Sequence, residues 1–152
     1  MNTILDKDHL TFKDIEKEIF KYVCQIAVEM TQKGLAEYDK QLMKDRDCSK
    51  YRHKGYKPDH VRCVYGDVPY ERVVYETYDE SGKKEFVYLL DEALRMDAVG
   101  KMSLNLVESI VSATSKMSFR EAAEEINRNT EANITFQSAW NVVQSFGEKL
   151  EA

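Results

Sequence analysis

A compact block of basic residues stands out between Lys44 and Tyr65. Seven of its side chains are lysine or arginine and three are acidic, so the block has a local charge of +4, whereas the whole chain of 152 residues has a formal net charge of −5. Two of the three histidines also lie here. A basic island beside aromatic residues is typical of a site that contacts a polyanion such as nucleic-acid phosphate. A solvated turn between two elements is the other interpretation, and charge alone leaves both open.

The remainder of the chain is acidic, which limits the kind of polyanion site it can form. Residues 1–43 carry six basic and eight acidic side chains, and residues 66–152 carry nine and sixteen. Proteins that bind nucleic acid non-specifically are normally basic, because phosphate neutralisation and counterion release supply most of the affinity. A nucleic-acid site on this chain is therefore expected to be small, or to act with another part of a larger protein.

Two cysteines and two histidines in the same block could form a zinc site. Cys48, His53, His60 and Cys63 supply the thiolate and imidazole groups that zinc prefers. Their spacing is C-x4-H-x6-H-x2-C, in which only the last pair resembles a metal knuckle and no C-x2-C pair occurs. We therefore predict no metal and no cofactor and assign the histidines to the basic surface, with zinc binding as the weaker alternative.

The sequence offers little for catalysis. It has no glycine-rich phosphate loop, no Gly-x-Ser-x-Gly elbow and no His-Glu-x-x-His pair. Asp91, Glu92 and Asp97 form one local acidic cluster, whereas two-metal phosphoryl transfer needs carboxylates brought together from separate elements. The cluster is expected to end a strand and begin a turn, and we predict that the chain is not an enzyme.

Composition and length indicate one soluble folding unit. Hydrophobic residues make up 43% of the chain and charged residues 32%, and a chain of this size buries roughly 68–70% of its unfolded surface. No apolar run approaches the roughly 20 residues of a membrane span. The first twelve residues lack the basic start and apolar core of a signal peptide. Three cysteines, an odd number, then favour reduced thiols and a cytoplasmic location.

The predicted fold class is α+β, in three zones that together form one compact unit. A long amphipathic helix occupies residues 1–45, a basic segment with an antiparallel sheet of about three strands occupies 46–92, and a helical segment occupies 101–152. Strands are predicted from Val61 onward, where β-branched and aromatic residues alternate between turn signals at Gly66-Asp67 and Ser81-Gly82. Pro69 is expected near a strand start or on an edge. The strand order is not legible.

The helix of the first zone is expected to begin at a Thr11 cap. Apolar residues then recur at spacings of three and four, and they are Phe12, Ile15, Ile19, Tyr22, Ile26 and Met30. Gly34 interrupts the pattern, which resumes at Leu35. We favour a stripe that faces the core, and a short dimerising coiled coil is the sharper alternative.

Two short capped helices in the last zone have the proportions of a helix-turn-helix. Ser118 and Glu121 match a capping box at the start of the first helix, and Thr135 can cap the second. In a helix-turn-helix, residues near the start of the second helix meet base edges in the major groove. Here these residues are Gln137, Ser138, Asn141 and Gln144. Glutamine and asparagine can pair with adenine, but the exposed face has no basic residue before Lys149, and a plain helical bundle stays open.

A series of motifs extends over most of the chain in a fixed order. They are Arg46-Asp47, Tyr51–Gly55, Val64–Val68 and Tyr88–Glu92, followed by Met117–Ala123 and Ile134–Ser138. In this order they resemble the N-terminal region of ISLre-type insertion-sequence transposases. In that family the region precedes an acidic-triad catalytic domain and is thought to recognise the DNA ends of the element.

The resemblance implies a DNA-binding, possibly self-associating domain of transposase origin without a catalytic domain. Phosphate contacts would come from Arg46, Lys50, Arg52, His53, Lys54, Lys57, Arg62 and Arg72. The expected partners are DNA, at the ends of an element, and a second copy of the chain, with no membrane and no small-molecule substrate. The competing function is a protein-interaction or oligomerisation module whose basic block meets an acidic partner surface.

Overall fold

The computed structural model describes residues 10–96 and 100–151, with the side chains of the last helix described up to Gly147. The elements are α1 (Phe12–Asp45), β1 (Arg52–Cys63), β2 (Gly66–Tyr78), β3 (Lys84–Val87), α2 (Leu89–Leu94), α3 (Leu104–Thr114), α4 (Phe119–Asn129) and α5 (Phe136–Glu151). They confirm the predicted α+β class. In the described part of the chain, no helix has the length and apolar character needed to cross a membrane.

Helix α1 begins where the sequence predicts. Thr11 Oγ1 accepts a hydrogen bond from Asp14 N at 3.3 Å, and Asp14 Oδ2 accepts one from Thr11 N at 3.1 Å, which completes a reciprocal capping box. The helix then continues through Gly34 to Asp45 without a break. The predicted extent of the helix is therefore confirmed. Gly34 interrupts the apolar pattern but not the helix, because a single glycine costs a helix only about 1 kcal/mol.

The C-terminal half of α1 covers a free edge of β2. Strand β3 pairs with Tyr75–Tyr78, and among the described residues no strand lies on that side of the earlier part of β2. Gln32 Nε2 donates to Pro69 O at 2.7 Å, and Val73 N donates to Asp39 Oδ2 at 3.0 Å. The helix thus blocks an edge that would otherwise accept another strand. Pro69 lies on this edge, as the sequence predicts.

The apolar stripe of α1 does not face the core, so the favoured interpretation is wrong. Five of its six members are 38–77% exposed, and they are Phe12, Ile19, Tyr22, Ile26 and Met30. The buried residues of the helix are Cys24, Leu35 and Asp39, which lie on roughly the opposite side at about 100° per residue. Helix α1 therefore has apolar side chains on two faces, and only one of them packs against the sheet.

The sheet has the order β1-β2-β3, with both pairings antiparallel. Three strands are as predicted, but β1 begins at Arg52 and not near Val61. Most of the basic block is therefore a strand and not a turn. A register shift between His53 and Gly55 leaves Lys54 as a bulged residue. The first part of β1 could not be predicted from the sequence, because it contains charged residues, a glycine and Pro58, which are depleted from strands in general.

Helix α2 replaces the strand end and turn predicted around residues 89–92. Its Asp91 is buried and contacts two side chains of β2. Tyr70 Oη donates to Asp91 Oδ1 at 2.9 Å, and Arg72 Nε donates to Asp91 Oδ2 at 3.0 Å. Asp91 therefore fixes α2 to the sheet, while Asp97 lies outside the described residues.

Helices α3, α4 and α5 pack around a core of their own. Its buried residues are Leu106, Val107, Ile110, Ala123, Ile126, Ala132, Ile134, Ala139 and Val142. The predicted caps Ser103, Ser118 and Thr135 each accept a backbone N–H of the first turn at 3.0–3.2 Å. No reciprocal bond from Glu121 to Ser118 occurs in the described residues, so only half of that predicted capping box forms.

The three-helix unit is joined to the sheet at the end of β1. Arg62 N donates to Lys101 O and Arg62 O accepts from Ser103 N, both at 2.8 Å. Glu131 N donates to Val64 O at 3.0 Å. Backbone bonds therefore hold the segment before α3 and the turn after α4 against the same end of the sheet.

Asp39 gives a first testable prediction about stability. Its side chain is 3% exposed, and Oδ1 has no hydrogen-bond partner among the described residues. Burial raises the pKa of Asp39, against the lowering effect of the Val73 N–H. Because the folded-state pKa is raised, ionisation costs stability as the pH rises through it. We expect Asp39→Asn to increase the free energy of unfolding at pH 7, as measured by urea denaturation.

The same measurement at acidic pH should show a smaller gain, because Asp39 is then neutral in the wild-type protein. Asp47→Asn is the control. Hydrogen bonds from Ser49 lower the pKa of Asp47, which is the opposite shift to that of Asp39, so this change should not stabilise the protein. An Asp39→Asn variant no more stable than wild type at pH 7 would contradict the prediction.

Candidate nucleic-acid interface

Strand β1 displays most of the basic block on one edge of the sheet. Arg52, His53, Lys54 and Lys57 are exposed along it, and Lys50 is exposed in the turn just before it. We call these five residues the basic edge. Strand β2 is the only strand that pairs with β1 within the described ranges 10–96 and 100–151. Basic side chains on such an edge discourage pairing with another strand and leave their charges facing solvent.

Part of this charge is balanced by one buried carboxylate. Lys54 Nζ lies 2.9 Å from Glu76 Oε2, and Lys84 Nζ lies 3.2 Å from Glu76 Oε1. The hydrogen bond from Lys54, reinforced by Lys84, lowers the pKa of Glu76 to about 2. Two lysines share one acid, so this corner of the sheet keeps a net positive charge.

Arg46 has a structural role that leaves little of its guanidinium for a phosphate. Its Nε donates to Tyr51 O at 3.0 Å and its Nη1 donates to Met43 O at 2.6 Å. The guanidinium carbon also lies 5.4 Å from the centre of the Tyr75 ring. Arg46 thus closes the turn between α1 and β1.

Arg72 is still more firmly engaged. It is 6% exposed, and its Nη2 lies 3.1 Å from Asp59 Oδ2 while its Nε bonds to Asp91. Its Nη1 donates to the carbonyl oxygens of Lys57 and Pro58, each at 3.0 Å. All three guanidinium nitrogens therefore have partners inside the protein. The predicted phosphate role does not fit this placement, and neither Arg46 nor Arg72 belongs to the basic edge.

The four candidate zinc ligands are spread along the strand. Cys48 precedes β1, and His53 and Cys63 lie ten residues apart on it, which corresponds to roughly 33 Å in an extended strand. His60 Nδ1 lies 2.9 Å from Asp67 Oδ1, and the buried Cys63 thiol donates to Gly66 O at 3.1 Å. Nowhere in the described residues do three or more potential ligands come together.

Helix α5 presents the predicted base-contact residues to solvent. Gln137, Asn141 and Gln144 are exposed and Ser138 is half-buried. Gln137 Nε2 donates to Asn141 Oδ1 at 3.3 Å, so the two amides form one polar surface. Spacings of three and four put these residues on one side of the helix, away from its buried Ala139.

Sequence reasoning missed two residues beside this surface, Arg120 and Phe136. The Arg120 guanidinium carbon, from α4, lies 4.9 Å from the centre of the Phe136 ring at the start of α5. Phe136 and Trp140 are 47% and 45% exposed. They are four residues apart, on the side of α5 next to Gln137 and Asn141 at about 100° per residue. The tertiary structure thus brings to the start of α5 the basic residue that the helix itself lacks.

Side-chain bonds fix the position of α5. Asn127 Nδ2 donates to Ile134 O at 2.7 Å, and Asn127 Oδ1 accepts from Ile134 N at 2.8 Å. Arg62 Nη1 donates to Asn133 O at 3.0 Å. Asn133 has a φ of 53°, a left-handed conformation that asparagine tolerates better than most residues. Arg62 therefore reaches from β1 to the turn that precedes α5.

The two parts of the predicted DNA site lie at opposite ends of β1. From Arg52 to Arg62 the strand extends over ten residues, or roughly 33 Å. One turn of B-DNA is about 34–36 Å long. The spacing of Arg52 and Arg62 along the strand is therefore similar to this length.

These elements define a mixed α+β protein in which a helix-covered, three-stranded sheet is joined to a three-helix unit. The chain belongs to the uncharacterised protein family UPF0236, whose model matches residues 5–152. No curated protein and no solved structure matches it. The family match covers the sheet and all three C-terminal helices, so the basic edge and α5 belong to the same family region.

Proposed function

We propose that this chain is a DNA-binding module of transposase origin. Helix α5 enters the major groove, and the basic edge contacts phosphates on the same duplex. The observation that carries the proposal is the start of α5, where Gln137 and Asn141 are exposed beside the Arg120–Phe136 pair. Amide side chains at the start of a fixed, exposed helix are suited to reading adenine.

The arrangement of the helices supports this function. A six-residue turn connects α4 to α5, and both helices pack with α3 around one shared core. A helix-turn-helix needs its second helix to be held rigidly and exposed along one side. The paired bonds between Asn127 and Ile134 supply the rigidity. The turn is longer than the three or four residues usual for the motif.

The charges predict how binding responds to salt. Residues 100–147 carry four basic and five acidic side chains, so the three-helix unit contributes little non-specific affinity. The proposed phosphate contacts come from five cations outside the three-helix unit. Arg62 contacts the turn before α5, and the exposed ones are Lys50, Arg52, Lys54 and Lys57. Five phosphate contacts give a slope of about −4.5 for log affinity against log salt concentration, at about −0.9 per contact.

A fluorescence anisotropy titration tests the proposal directly. Duplexes enriched from a random pool by this protein are compared with shuffled duplexes at two salt concentrations. Arg52→Ala and Lys57→Ala should weaken binding to all sequences and lower the salt slope by about 0.9 each. Asn141→Ala should remove most of the preference for the enriched sequence, a change of about 5–150-fold.

Lys17→Ala is the matched control, because Lys17 is an exposed cation on α1 outside both surfaces. It should leave affinity and salt slope almost unchanged. The absence of salt-sensitive binding to any duplex would overturn the proposal. So would a Lys17→Ala variant as weak as Arg52→Ala.

One observation favours a second function, a protein-interaction module. Phe136 and Trp140 are exposed side by side, and aromatic residues are enriched in protein–protein interfaces. In that case Trp140→Ala would abolish binding to a protein partner, and Asn141→Ala would have no effect on any duplex. Light scattering with and without DNA separates the two functions, because only the first gives a complex with the duplex.

A further inference from the structure

The exposed face of α1 is organised as an interaction surface. We call it the outer stripe, and its members are Phe12, Ile15, Ile19, Tyr22, Val23, Ile26 and Met30. All except Ile15, which is half-buried, are at least 38% exposed. Monomeric proteins rarely expose so continuous an apolar surface without a partner for it.

We propose that the outer stripe binds the outer stripe of a second copy of this chain, with the two α1 helices antiparallel. Phe12, Ile19 and Ile26 repeat every seven residues, and Ile15 and Tyr22 do so between them. Alternating steps of three and four make the seam along which two helices pack as a coiled coil.

The size of the stripe fits a pair of copies. At about 200 Å² for a large apolar side chain, the exposed fractions of its members amount to on the order of 700 Å² per chain. A standard protein interface buries about 800 Å² per partner. The side of α1 that packs on the sheet is the opposite one, so each copy keeps its own domain on the outside of the pair.

The sequence of the stripe favours the antiparallel direction. A parallel pair would place Glu29, the next position of the seven-residue repeat, directly against its own copy. An antiparallel pair places Ile19 against Tyr22, Ile15 against Ile26, and Glu29 beside Phe12 at the exposed end.

Sedimentation velocity on the full chain over a range of concentrations tests the proposal. We expect a concentration-dependent dimer for the wild type, and an increase of at least about 100-fold in the dimer dissociation constant for Ile19→Glu, because the change occurs twice in each pair. Leu104→Glu is the matched control, since Leu104 is a 58% exposed leucine on α3, outside the stripe. It should dimerise like wild type.

Circular dichroism shows whether each variant is folded. If Ile19→Glu does not fold, Ile26→Glu is used in its place. A wild-type chain that is monomeric at about 100 µM would overturn the proposal, because an interface with this much apolar area should bind more tightly than that. Equal weakening by Leu104→Glu would also overturn it, because the effect would not belong to the stripe.

A mixing experiment tests the direction of the helices. Ile19→Glu and Tyr22→Lys should each be monomeric alone, whereas their equimolar mixture should dimerise. The reason is that the introduced glutamate of one chain lies beside the introduced lysine of the other only in the antiparallel pair. No recovery in the mixture would overturn the antiparallel arrangement. Dimerisation is measured without DNA, so it can fail while DNA binding stands, and the reverse.

Discussion

Replacement of Arg72 by methionine should lower the free energy of unfolding by about 3–5 kcal/mol. The guanidinium lies between two carboxylates that are themselves largely buried, Asp59 and Asp91. Its flat face also covers the Tyr88 ring, with 3.8 Å between the guanidinium carbon and the ring centre. Methionine fills much of the same volume but leaves two acids without their shared cation.

The electrostatic origin of this loss can be separated from the packing loss. Asp59 keeps an ion pair with Lys101, so the larger part of the penalty should fall on Asp91. A second change, Asp91→Asn, should therefore restore part of the stability lost in Arg72→Met, because it removes the uncompensated charge. If the effect of Arg72 were purely steric, the stability losses of Arg72→Met and Asp91→Asn would instead add in the double variant.

Urea denaturation followed by circular dichroism gives the free energies. Arg52→Met is the matched control, because Arg52 is an exposed arginine on the neighbouring strand. Its effect should stay within about 0.5 kcal/mol. If Arg72→Met cost no more than Arg52→Met, the buried network could not be what joins α2 to the sheet.

The contrast between these two arginines shows where sequence reasoning stops. Both lie in or near the basic block, and the sequence predicts phosphate contacts for both. Local sequence gives the charge of Arg72 but not its burial, which depends on Asp91, nineteen residues later. Long-range ion pairs of this kind have no local pattern, so the phosphate prediction could not distinguish the two.

Helix starts were more predictable than helix faces. Thr11, Ser103, Ser118 and Thr135 all cap helices, because a cap involves only a side chain and a backbone N–H three residues away. The prediction for the buried face of α1 is wrong, because the helix has two apolar faces and the one that packs against the sheet is the one that contains Asp39. The Arg120–Phe136 contact also escaped prediction, since it joins two helices.

The second large effect is expected in the core of the three-helix unit. Ile110 is fully buried among side chains of α3, α4 and α5, and Ile110→Ala should lower the free energy of unfolding by about 3–5 kcal/mol through lost burial and the cavity left behind. Ser112→Ala is the control, because Ser112 is exposed on the same helix. It should change stability by less than about 0.5 kcal/mol.

Two probes then show whether the sheet and the three-helix unit unfold together. Trp140, the one tryptophan in the sequence, reports on α5 through its fluorescence, and the buried Tyr70 and Tyr75 report on the sheet through near-ultraviolet circular dichroism. The backbone bonds of Arg62 to both sides of Met102 couple the units, so Ile110→Ala should shift both transitions equally. A shift of the Trp140 transition alone would show that the helices unfold as a separate unit, and that the sheet does not depend on them.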